Sequence, residues 1–66
     1  MFEIIKVNRY FKYGAKVTSE KTIKVDASLE EVLALAEKQK ADIDEVKEDL
    51  EIYGITSFKG YMISER

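Results

Sequence analysis

At 66 residues with no cysteine and no histidine, this chain has neither disulfides nor the usual zinc ligands to reinforce a small core. Its 45% apolar content fits a folded domain, and no stretch approaches the ~20 apolar residues of a membrane span. The formal net charge of −2 conceals a partition: residues 1–25 balance to +4, residues 26–54 to −7 and the last twelve to +1, so one basic and one acidic face are expected.

Residues 2–13 are rich in β-branched and aromatic types and alternate, with Glu3, Ile5, Val7, Arg9, Phe11 and Tyr13 on one side. Phe2, Ile4, Lys6, Asn8, Tyr10 and Lys12 fall on the other. Residues 16–25 alternate as well, and Gly14 between the two runs marks the turn of a β-hairpin. A three-residue loop sets Ile5 against Val25 and Val7 against Ile23, which keeps apolar side chains on one face. An odd-length loop or a bulge is therefore expected. That register places Lys6 directly opposite Lys24 on the outer face, and Arg9 opposite Lys21. Only the base of the hairpin is then covered, and its tip projects into solvent.

Ser28 with Glu31 forms a capping-box pattern ahead of Leu29, Val32, Leu33 and Ala36. Asp42 with Glu45 repeats it ahead of Ile43, Val46, Leu50 and Tyr53, and Gly54 suits the position just past a helix end. Two short helices are favoured, because one helix over 29–53 would waste the second cap. Residues 55–64 read as a third strand with no obvious core face; if Phe58 and Met62 point inward, Lys59 and Tyr61 join a basic outer surface. The expectation is a single α+β domain over 1–66, in ββααβ order. It has a three-stranded sheet with one or two helices on one face.

Around Leu33-Ala34-Leu35-Ala36, Ala41, Val46, Leu50 and Gly54-Ile55 the spacing resembles a helix-turn-helix half. It is similar to the small helical subdomain at the N-terminus of bacterial translation initiation factor two, and to many winged-helix segments. Lys40 stands where glycine is usual in that turn, and the matching positions are core positions that ordinary helix pairs share. The resemblance implies DNA reading by the second helix. Asp44, Glu45, Glu48, Asp49 and Glu51 oppose this, because phosphates would repel them.

The hairpin tip is the main candidate site: Arg9, Tyr10, Phe11, Lys12, Tyr13, Lys16 and Lys21 interleave cations with aromatics. These residue types suit a protein hot spot, and they also suit single-stranded nucleic acid, where rings stack on bases. They equally serve as cross-strand pairs and solubilising charges. Asp44, Glu45, Glu48 and Asp49 form a second candidate, an acidic helix face for a basic partner. Asp42-Ile43-Asp44-Glu45 fails a calcium-loop frame, because Val46 and Lys47 occupy the next required positions. Without histidine or cysteine the usual base, nucleophile and metal ligand are missing, so no catalytic, cofactor or metal residue is assigned. The reading is a cytoplasmic, non-enzymatic protein-binding module: an adaptor, inhibitor or regulator of the kind phages and mobile elements encode. A single-stranded DNA or RNA binder is the alternative. Opposite charges on two faces also suit a homodimer.

Overall fold

The computed structural model describes residues 1–66, in the order β1 (Phe2–Lys12), β2 (Ala15–Ala27), α1 (Leu29–Lys38), α2 (Ile43–Ile52), β3 (Ile55–Phe58) and β4 (Tyr61–Glu65). The α+β expectation holds, with one strand more than anticipated. Lys59 and Gly60, at φ 46° and 81°, form a two-residue turn that splits the C-terminal run into a hairpin. All four strands are antiparallel in the order β2-β1-β4-β3, so the first and last strands pair in the middle of the sheet.

The long hairpin also turns on two residues. Tyr13 and Gly14 both take positive φ, 52° and 77°, and Lys12 pairs with Ala15. Two positive φ values give the tight turn whose twist matches that of the strands, which the three-residue loop does not. The expected irregularity lies at the other end. Register shifts occur between Ile5↔Thr22 and Ile4↔Lys24, and again before Phe2↔Ala27.

This register corrects the assignment of faces. Lys6 stands opposite Lys21 rather than Lys24, and Arg9 opposite Thr18. The face with Phe2, Ile4 and Lys6 is the one the helices cover. Ile4 and Ile63 pair across the sheet and are buried with Ala27, Val32, Ala36, Val46 and Leu50 in one core. Phe58 and Tyr61 both pack against this core, and Met62 points to the opposite face. Ile5 and Val7, expected in the core, lie on the bare face of the sheet.

Two helices form, not one. The Ser28 hydroxyl accepts from the Glu31 N–H at 3.2 Å while the Glu31 carboxylate reaches back to the Ser28 N–H. α1 ends with Lys40 at φ 59°, and the Lys40 and Ala41 N–H groups donate to the carbonyls of Glu37 and Ala36. Asp42 then caps α2 through the Glu45 N–H at 3.2 Å. Gly54, at φ 70°, donates to the Leu50 carbonyl and closes it.

Lys24 ion-pairs with Glu31, tying β2 to the first turn of α1. That lysine, followed by the Ser28 N–H, holds the Glu31 carboxyl below its ordinary pKa. A depressed carboxyl contributes stability that is present above its unfolded pKa and lost as pH falls through the folded one. The urea midpoint of the wild type is expected to exceed that of Lys24→Ala at pH 7, with the gap closing below pH ~4. A gap unchanged at low pH would remove this pair from the stability account.

Candidate functional site

The molecule measures 39 × 22 × 21 Å, and the long dimension follows the hairpin, whose outer half stands clear of the helices. From Asn8 to Asp26 every residue is exposed except Val17. This arm presents the candidate residues on two different faces. Arg9, Phe11 and Lys16 share the bare sheet face, because Phe11 pairs with Lys16. Tyr10, Lys12 and Lys21 share the helix-side face with Lys6, Asn8 and Ser19.

The helix-side face of the arm carries three lysines and no carboxylate. Lys6 faces Lys21 directly, an unfavourable placement for like charges. Lys6 relieves part of it by laying its ammonium over the Tyr61 ring, 4.3 Å from the centroid. Tyr61 in turn leans on Phe58, with ring centroids 6.2 Å apart. The expected opposition of Lys6 and Lys24 on the outer face does not form; Lys6 meets Lys21 instead, on the helix-side face.

Tyr13 is the exposed apex. Its side chain is 99% exposed, and the Lys12 ammonium lies 5.8 Å from its ring. Phe11 is 72% and Tyr10 47% exposed. A two-residue turn of this kind favours Asn, Asp or Gly at its first position. Tyrosine there holds a left-handed backbone at a cost of about 1 kcal/mol, and its ring gives the fold no packing in return.

The acidic candidates separate as well. Asp44, Glu45 and Glu48 are exposed on α2. Asp49 is half-buried and accepts a hydrogen bond from the Thr56 hydroxyl at 2.9 Å, joining α2 to β3. No three carboxylates converge on a point where a metal ion could sit. Sequence reasoning missed the bare sheet face. It gathers Ile5, Val7, Ile55 and Met62, and alternation around the inward-reaching Lys24 adds Ile23 and Val25. The register that exposes it is set by the two tight turns, Tyr13-Gly14 and Lys59-Gly60.

Comparison of the chain with protein-family models, curated proteins and solved structures finds no match. No helix is long and apolar enough to cross a membrane.

Proposed function

We propose that this chain is a cytoplasmic, non-enzymatic protein-binding module, an adaptor, inhibitor or regulator, and that the hairpin arm is its contact. The observation that carries this reading is Tyr13: a fully exposed aromatic kept at a turn position where it strains the backbone. Strain held without benefit to the fold points to work done elsewhere. Phe11 with Arg9 and Lys16 on one face of the arm, and Tyr10 with Lys12 on the other, would offer contacts to a partner that grips the tip from both sides. Aromatics and arginine anchor protein interfaces at small entropic cost.

A second reading, single-stranded nucleic acid, is favoured by one observation: Lys6, Lys12 and Lys21 flank Tyr10 on a face without carboxylates. Lysines would track phosphates while the ring stacks on a base.

One experiment separates the two. The tagged chain and its Tyr13→Asn variant are used for affinity capture from a bacterial lysate, with and without nuclease. Protein binding predicts a partner retained after nuclease by the wild type and lost by Tyr13→Asn. That variant should itself be more stable by about 1 kcal/mol in urea unfolding. Recovery of nucleic acid, with proteins lost on digestion and binding falling steeply as salt rises, would replace this reading with the second.

A further inference from the structure

The helices cover one face of the sheet and leave the other bare. The middle of the bare face is apolar: Ile5 of β1 pairs with Met62 of β4, Val7 follows along β1, and Ile23 and Ile55 are 54% and 46% exposed beside them. Uncharged Thr22 and Ser57 fill the positions paired with Ile5 and Met62. Charges border this patch. Glu20 stands opposite Val7 on its arm side, with Arg9 and Lys16 farther out, and Glu3, ion-paired with Arg66 at 3.2 Å, lies at the base. An apolar centre with a charged rim is the anatomy of a protein interface.

We infer that this face is covered by a second copy of the chain, two sheets stacking across a two-fold axis near Ile5 and Met62. Two features point to a copy rather than a different protein. A two-fold contact sets a surface against itself, so a face charged with a single sign would repel its copy. This face holds three cations and two carboxylates, whereas the arm's helix-side face is wholly basic and α2 largely acidic. In addition, one core of seven buried apolar residues is small even for a short chain. Stacked sheets would add a second apolar layer of the kind that makes a sandwich core ~10 Å thick. Centred on Ile5 and Met62, the contact leaves Tyr10 and Tyr13 free for a partner of the arm, while Arg9 and Lys16 stand at its rim.

Sedimentation equilibrium of the full chain from low to high micromolar concentration is expected to show a species of twice its 7.6 kDa mass. Met62→Lys should weaken association on the order of tenfold or more while keeping the far-ultraviolet circular dichroism of the wild type. Ile23→Lys, at a more exposed position, serves if Met62→Lys unfolds. Because the chain has no cysteine, Met62→Cys can be joined by a short bismaleimide. It should crosslink in high yield, and Glu48→Cys on the exposed side of α2 should not. A monomer throughout the concentration range, a dimer that survives both lysine variants, or equal crosslinking from Glu48→Cys would each overturn the inference.

Discussion

Replacing Ile63 with alanine is expected to lower the unfolding free energy by about 2–5 kcal/mol. Ile63 is wholly buried and sits in β4, bonded to β1 through Ile4 and to β3 through Thr56. Truncation there opens a cavity between three strands and the helices above them, and backbone held on both sides cannot collapse to fill it. A domain of this size has a total stability of roughly 3–10 kcal/mol, so the variant should lose a large share of it and its urea midpoint should fall markedly. Urea titration followed by circular dichroism reads the effect directly. Ser64→Ala, one residue on and turned to the bare face, is the control and should change little. A loss for Ile63→Ala no greater than that of the control would mean that the core lies elsewhere.

Asp49→Ala is expected to cost about 1–3 kcal/mol, because it leaves the buried Thr56 hydroxyl without an acceptor. Removing both polar groups at once should be milder than the sum. The double variant Asp49→Ala, Thr56→Val exchanges an unsatisfied hydroxyl for a methyl, and it should recover most of the loss. The cycle also sorts Asp49 from the other carboxylates of α2. Asp44→Ala and Glu48→Ala remove exposed groups and should leave the urea midpoint nearly unchanged. If Asp49→Ala behaves like them, the bond to Thr56 contributes nothing measurable, and Asp49 returns to the acidic surface as a contact residue.

The helices were legible because their ends are local chemistry. Ser28 with Glu31, Asp42 with Glu45, and Gly54 each act within one turn of the backbone, so spacing marked these ends, while the break between the helices, at Lys40 with its positive φ, stayed open between one helix and two. The hairpin faces were not legible, because Ile5, Val7, Ile23 and Val25 alternate as convincingly as Phe2 and Ile4 do. The choice between them is made by a turn that puts Tyr13 at positive φ, a position where a β-former gives no warning. Lys59 hides the second hairpin in the same way, within a run that otherwise reads as one strand. Of the candidate sites, the arm's projection was legible from Arg9 and Lys21, which no core would accept. Its division into two faces depends on the register and was not. Asp49 could not be told from its acidic neighbours, since only the tertiary position of Thr56 distinguishes it.

The pairing of β1 with β4 has a consequence for how the chain is made. The hairpin of β1 and β2 is complete by residue 27 and needs only local contacts, which form quickly. The other edge of β1 must wait for Tyr61–Glu65, which leave the ribosome after β2, α1, α2 and β3. During synthesis the hairpin therefore carries its own apolar side chains, Ile4 among them, without a core to receive them. Closure is a single late event in which β4 slides between β1 and β3 and the helices settle over it. Nascent chains arrested before Tyr61 should be digested readily by protease beyond the hairpin, and chains extended past Arg66 by a linker long enough to clear the exit tunnel should become resistant in one step.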